Sequence, residues 1–317
     1  MDAQVELLTR ADEPWVAYNA IVELARRGDT TEAKDAYGRL QADSRVQQLI
    51  ADVEPWPGPR LGKAYDLKDS IWKLAVLADF GLRRETPRIA AIAEKLFKAR
   101  AANGMFLHGG FDHTKSWDER PYVCVDHVQT YALARFGYIG DERLERAYDA
   151  VLAWQRLDGG WHPNQANLPG GTGEREPSCP FGTTNVLRAL VHHPVHRSGP
   201  VASKAAAFLL DCWNRRAEPF RPVGFGIGST WAKVQYPLVQ YQLLKVLDTL
   251  VRVPGVPADP RFKDMLRNLT SRRRADGWWL PEGINKPYVA FDFGQKKVPS
   301  PWLTFLALRI IEAAAAG

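Results

Sequence analysis

The chain repeats its helical pattern about every 56 residues, and this period limits what it can fold into. One set of helices is expected to begin at Pro14, Ser70, Asp126, Gly182, Pro237 and Pro301, with gaps of 56, 56, 56, 55 and 64. A second set begins near Thr31, Thr86, Asp141, Gly199 and Asp259, with gaps of 55, 55, 58 and 60. Two helices per unit at this period mark stacked helical hairpins, none of which buries its apolar face alone. The repeat runs nearly from end to end, so residues 1–317 are read as one domain.

The two sets differ in composition. Segments 86–100, 141–156 and 259–273 confine apolar residues to one stripe and carry Arg, Lys and Glu elsewhere, the pattern of helices with one wet face. Segments 70–81, 126–137, 182–192 and 301–311 are apolar around most of the circumference, which suits helices buried on most sides. Alternation of the two predicts an outer and an inner ring: an all-α fold, a single (α/α)6-type toroid or barrel of antiparallel hairpins. Six inner and five outer helices are counted, so residues 1–12 either supply the sixth outer element or leave the ring imperfectly closed. Thr86-Pro87 and Asp259-Pro260 place a capping side chain before Pro at the first helical position. Gly28, Gly81 and Gly137 follow apolar runs and suit left-handed C-terminal caps. The long stretches 105–123, 158–181, 217–235 and 276–300 each lead from an outer helix to an inner one. They are expected to gather above the N-termini of the inner helices.

Composition narrows the function classes. The net charge is +6, yet the basic residues are mixed with acidic ones apart from runs such as Arg272-Arg273-Arg274 and Arg215-Arg216. This reads as solvated outer faces, with an anionic ligand or a membrane surface as the functional alternative. No alternation of basic and aromatic residues suggests nucleic-acid binding. No apolar run is long enough to span a bilayer, so membrane association is not indicated. The start Met1-Asp2-Ala3-Gln4 lacks a signal-peptide core. Three cysteines without CxxC spacing point to reduced thiols and a cytoplasmic protein. The 11 Trp, 13 Phe and 10 Tyr imply either a tightly packed core or an aromatic-lined cavity.

Three loops open alike, as Gly104-Met105-Phe106, Gly159-Gly160-Trp161 and Gly277-Trp278-Trp279. The second follows Gln155, giving Gln-x-x-x-Gly-x-Trp, which resembles the QW repeat of squalene–hopene cyclases and their relatives, the protein prenyltransferase β subunits. The resemblance implies that Gln155 and Trp161 tie helices together. Asp66-Leu67-Lys68-Asp69-Ser70 resembles the Asp-x-Asp-Asp-Thr motif of class II terpene cyclases, whose middle Asp donates the proton. Lys68 stands at that donor position, and a Lys beside two carboxylates makes them poorer acids. One repeat on, Tyr122-Val123-Cys124-Val125-Asp126-His127 lies where prenyltransferase β subunits carry an Asp-x-Cys zinc pair. Tyr122 replaces the Asp, and Ser300 lies where a later His would be wanted. No cofactor is expected, while zinc at Cys124, Asp126 and His127 stays open.

These residues form the candidate site. Asp126 is the first choice for proton transfer, with His127 or Asp69 as partner and Asp66 beside them, since a buried acid has a raised pKa. Capping of helix starts explains Asp66, Asp69 and Asp126 equally well. Cys124, Cys179, Tyr122, Trp72, Trp231, Tyr236 and Trp302 would line a substrate pocket, with aromatic faces able to stabilise a cation; core packing is the competing role. His192-His193-Pro194 is read as a C-terminal cap. The resemblance implies acid–base chemistry on a small hydrophobic, isoprenoid substrate in a central cavity: cyclisation, isomerisation, hydration or dehydration. An anionic group on that substrate would be favoured at the inner-helix N-termini. A carbohydrate-active hydrolase or lyase using Asp66, Asp69, Asp112 and Asp126, and a non-catalytic binder of hydrophobic ligands, are the alternatives.

Overall fold

The computed structural model describes residues 3–58, 66–107, 123–162, 176–218, 229–239 and 242–317. The fold is all-α, with no strand among the described residues. Its helices are α1 (Ala3–Thr9), α2 (Pro14–Asn19), α3 (Thr31–Ala42), α4 (Ser44–Val53), α5 (Ser70–Asp79), α6 (Pro87–Lys98) and α7 (Val123–Phe136). They continue as α8 (Glu142–Leu152), α9 (Pro180–Leu190), α10 (Pro200–Asn214), α11 (Leu243–Leu250), α12 (Pro260–Thr270) and α13 (Pro301–Ala316).

The more apolar set packs in sequence order: α5 on α7, α7 on α9, α9 on α11, α11 on α13, and α13 on α2. Helix α2 also touches the end of α5. There the Trp15 ring stacks on Phe80 at 4.9 Å, and Asn19 Nδ2 donates to the Phe80 carbonyl at 2.9 Å. Every residue of α9 and α11 is buried, whereas α3 and α12 bury only the three residues of one stripe. The compositional contrast therefore becomes a contrast in burial. Helix α1 packs on α2 and α13, and its Gln4 Nε2 donates to the Gly277 carbonyl at 2.7 Å, so residues 1–12 do supply an outer element. Helix α4 has no counterpart in the sequence reading. It is amphipathic, is capped by Asp43, and packs on α5 and α6.

Several boundaries move. Helices α7 and α9 begin at Val123 and Pro180, slightly ahead of Asp126 and Gly182, while α11 begins at Leu243 rather than Pro237. The Val239 N–H turns back on the Pro237 carbonyl at 2.9 Å, so the chain is still in a tight turn there. Asp259 caps as expected, accepting from the Arg261 N–H at 2.8 Å. Thr86 does not cap, because its hydroxyl is held by Gln41 and Tyr37. Gly81 and Gly137 are left-handed as required. Gly28 is not. Beyond α2 the chain runs into a π-turn, Ala20–Leu24, and Arg26 takes the left-handed position at φ 57°. Of the long loops, much of 105–123, 158–181 and 217–235 lies outside the described residues. The stretch 276–300 folds inward through Tyr288, Phe291 and Phe293, all buried.

The Gly-x-aromatic openings form one repeated joint. Gly104, Gly159 and Gly277 all have φ near +90°, a conformation only glycine adopts without strain. Each is followed by a buried aromatic, Phe106, Trp161 or Trp279. Trp161 Nε1 donates to Val151 in α8, while its backbone N–H donates to Thr183 in α9. Trp279 repeats both bonds with Leu269 in α12 and Thr304 in α13. Gln155 Nε2 bridges the Gly159 and Val201 carbonyls, both at 2.8 Å, tying this loop to α10. The joint thus fastens an outer helix end to the next inner helix start.

Candidate functional site

Helices buried on nearly every side have little room for charge, yet each inner segment carries one near its C-terminal half: Glu23, Asp79, Arg135, Arg188, Asp248 and Arg309. They find one another. Glu23 pairs with Arg135 at 3.3 Å and Arg309 at 3.0 Å, and Asp248 pairs with Arg309 at 2.9 Å and Arg252 at 3.1 Å. Asp79 pairs with Arg188. Two of these pairs, Glu23–Arg135 and Asp79–Arg188, join helices that are not adjacent in that packing order. Burial acts to raise the Glu23 carboxyl, but Arg309, Arg135 and Arg252 outweigh it and bring it down to about 2. Asp248 is driven down in the same way: burial opposes, while Arg252, Arg309 and Arg188 prevail. This end of the interior is closed by ion pairs.

One turn nearer the N-termini the chemistry changes. Asp79 accepts from the Tyr131 hydroxyl, from the Tyr236 hydroxyl at 2.9 Å, and from Arg188. The Arg188 guanidinium also lies over the Tyr131 ring, 3.9 Å from its centre. Burial pushes both tyrosine hydroxyls up, so they act as donors. Beside them is Lys245, fully buried in α11. Its Nζ donates to the Val239 carbonyl at 3.0 Å and stands 5.3 Å from the Trp72 ring centre and 5.4 Å from that of Phe181. Burial first, and the Arg188 charge second, push this amine well below the ordinary lysine range, toward its uncharged form. Two phenols, a carboxylate, a guanidinium and an amine are thus gathered among apolar side chains, a set of groups with the chemistry to bind an anionic or carbonyl group and move a proton.

Of the residues expected from the sequence, Trp72, Tyr236 and Trp302 lie here. Tyr236 donates to Asp79, and Trp302 packs edge-on against Phe80 and Tyr236. Trp231 does not join them; it is buried near Trp213 of α10, 6.2 Å between ring centres. Asp66 and Asp69 shape the entry to α5, accepting from the N–H groups of Lys68 and Ile71, both at 3.0 Å. Asp69 is the N-cap of α5, and Asp66 holds the turn before it. Asp126, buried in the first turn of α7, precedes Tyr131 by five residues, an offset of about 140° around the helix. Thr183 stands in the same relation to Arg188, and Thr304 to Arg309; both threonines hold the loop joints described above. By helical phase Asp126 is thus offset from the Tyr131 face. His127 lies about 40° from Tyr131. Its Nδ1 meets the Thr130 hydroxyl at 3.4 Å, its Nε2 has no partner, and burial lowers it to about 3. It is uncharged near neutral pH and too weak a base to be the first choice. Tyr122 and Asp112 lie outside the described residues.

The cysteines are free and buried. Burial raises the Cys124 thiol well above its ordinary value, and raises Cys179 to about 12, so both are poor nucleophiles. Cys179 caps α9, its sulfur accepting from the Gly182 N–H at 3.5 Å. The group of potential metal ligands that the described residues gather within 4.8 Å is Glu145, His193 and His196, rather than Cys124, Asp126 and His127. His193 Nδ1 accepts from the N–H groups of Val195 and His196, at 3.2 and 3.3 Å, which leaves the proton on Nε2, 3.0 Å from Glu145. A metal at Nε2 would force that proton onto Nδ1, against two N–H groups, so this cluster does not fit a metal. The N–H groups of His192 and His193 bond the Ala189 and Leu190 carbonyls at the end of α9, at 3.2 and 3.0 Å, while the His193 ring holds the turn His196–Ser198 at its start.

Sequence reasoning missed Lys245, Arg188, Tyr131 and Asp79. The signal was present: Leu-Leu-Lys-Val-Leu-Asp-Thr-Leu at 243–250 and Asn-Val-Leu-Arg-Ala-Leu at 185–190 each set a charge inside an apolar helix. No family model matches the chain, and no curated protein does. Among solved structures it is similar to the crystal structure of a protein from Actinoplanes, at 17% identity and a TM-score of 0.46, with 99% of each chain covered.

Proposed function

We propose that this chain is an enzyme that moves protons on a hydrophobic, isoprenoid-like substrate inside an (α/α)6 toroid. Lys245 acts as the base and, once protonated, returns the proton, while Tyr131 and Tyr236 hold Asp79 in place. One observation carries the reading: a fully buried amine faces two aromatic rings in the same interior as a carboxylate shared by two phenols. An amine held uncharged accepts a proton from carbon, and the Arg188 guanidinium stabilises the negative charge that develops on a neighbouring carbonyl oxygen. Trp72 and Phe181 give the apolar walls.

This arrangement favours isomerisation or dehydration over protonation-started cyclisation. Cyclisation needs a strong acid, and Asp79 is held as an acceptor by three donors. It also favours a lipid-like substrate over a sugar. The carboxylates nearest Lys245, Tyr131 and Arg188, namely Asp79 and Asp248, are bound by arginine and are not free to protonate a leaving oxygen. Three free buried thiols support a cytoplasmic location. No helix among the described residues is long and apolar enough to cross a membrane.

The competing reading is a carrier, favoured by the bond that Lys245 already makes to Val239. Prenyl aldehydes incubated with the protein in deuterium oxide, followed by mass spectrometry, separate the two. An enzyme incorporates deuterium at carbon or forms product, and Lys245→Met loses this while remaining folded. Ligand-induced thermal stabilisation without either outcome identifies a carrier. Absence of both binding and exchange defeats the proposal.

A further inference from the structure

We propose that the loop 284–298, between the Trp279 joint and α13, docks on an anionic membrane surface. The inference does not depend on the reading of Lys245. Among the described residues six large apolar side chains are exposed, and three of them, Ile284, Val289 and Val298, belong to this loop, at 58, 64 and 56% exposure. Aliphatics exposed singly are ordinary, whereas a gathered set marks a contact surface. The set is gathered about Gly294. The Asn285 N–H donates to the Gly294 carbonyl at 3.2 Å, which brings Ile284 alongside. A Cβ at Gly294 would lie 2.8 Å from the Val289 Cα, so the two backbones touch. Gln295 holds Val298 at both ends: its Oε1 accepts from the Val298 N–H and its Nε2 donates to the Val298 carbonyl, both at 3.0 Å. Beneath the loop Tyr288, Phe291 and Phe293 are buried against one another, which fixes the aliphatics on the outward side.

The charges of the loop choose the occupant. Lys286, Lys296 and Lys297 are exposed in it, and no described carboxylate pairs with them. Its one acid, Asp292, turns inward to Ser300 and the Trp302 N–H. Glu282, just before the loop, is taken by Arg272 and the Val234 N–H. The outward side is therefore aliphatic and cationic with no acid of its own. Anionic headgroups satisfy the lysines, while Ile284, Val289 and Val298 reach the acyl boundary. A protein partner fits less well. A stable protein interface draws on about 20–30 residues from each side, and this loop has 15, several of them buried.

The test is co-sedimentation of the whole chain with vesicles of phosphatidylcholine alone and with vesicles of equal parts phosphatidylcholine and phosphatidylglycerol. Binding is expected to the mixed vesicles and not to the neutral ones. Lys286→Gln, Lys296→Gln and Lys297→Gln should each weaken it about fivefold. Ile284→Ser combined with Val289→Ser should weaken it by about tenfold or more, through lost acyl contact. Its melting temperature should be unchanged, since both side chains are exposed. Leu157→Ser removes an exposed aliphatic outside the loop and should leave binding as it was. Absence of binding to the mixed vesicles, or equal binding to both kinds, overturns the proposal. So does binding that falls with the lysines but ignores the Ile284 and Val289 pair, which is what the net charge of +6 alone would give.

Discussion

At the scale of single residues, the interior distinguishes groups that sustain the fold from groups it merely tolerates. Asp79 compensates the buried Arg188 charge, so Asp79→Asn should lower stability by about 3–5 kcal/mol in urea unfolding. Lys245 contributes only one bond to a carbonyl. Lys245→Met replaces a buried amine with an apolar chain of similar length, and should leave stability equal or higher. A loss as large as that of Asp79→Asn would make Lys245 a structural residue. Asp292 offers a test by pH. Burial raises its carboxyl to about 6, partly offset by the Ser300 hydroxyl and the Trp302 N–H. The folded chain then holds this proton more tightly than the unfolded one. The penalty is absent below about pH 4, grows as pH rises toward 6, and stays near 3 kcal/mol above that. Asp292→Asn should therefore raise the melting temperature at pH 7.5 and leave it little changed at pH 4. An equal effect at both would show that the carboxyl is not perturbed.

Among the elements, the Gly-x-aromatic joint carries the repeat. Gly140 and Gly159 have nearly the same φ, 90° and 91°, but differ in surroundings. A Cβ at Gly159 would lie 2.6 Å from the Lys204 carbonyl oxygen, whereas one at Gly140 meets nothing within 4 Å. Gly140→Ala should cost about 1–2 kcal/mol from the left-handed backbone alone, and Gly159→Ala clearly more, by thermal or urea unfolding. Equal costs would mean that α10 yields to the loop. These elements also show what the sequence made legible. Periodicity and composition placed the two helix sets, because burial on one face or on all faces leaves a direct trace in residue pattern. The joint was legible too, through its repeated glycine and aromatic. The start of α11 was not, because Pro237 suits a helix N-terminus and a tight turn equally. The direction of Asp126 was not legible for a related reason. Its chemistry suits an acid catalyst, but its direction is set by helical phase, which becomes informative only once Tyr131, Arg188 and Arg309 are known to point inward.

For the molecule as a whole, the ion pairs among Glu23, Arg135, Asp248, Arg252 and Arg309 join the inner helices at one end. Glu23 and Asp248 are depressed below their unfolded values, so their contribution is complete above about pH 4.5 and is lost as pH falls through 2. Acid unfolding should therefore be cooperative across the chain, and Glu23→Gln should reduce its steepness. Such buried pairs are weakly screened, so added salt should do little to stability at neutral pH. Closing one end with charge leaves the turn above it, with Lys245 at its centre, as the place where a substrate would meet reactive groups. The most direct test is the charge of that amine. In protein labelled with ¹³C and ¹⁵N at lysine, Lys245 is assigned by its loss in Lys245→Met. The structure predicts that this amine loses its proton at a lower pH than the surface lysines do. A Lys245 ammonium that persists to the same pH as the others would contradict it.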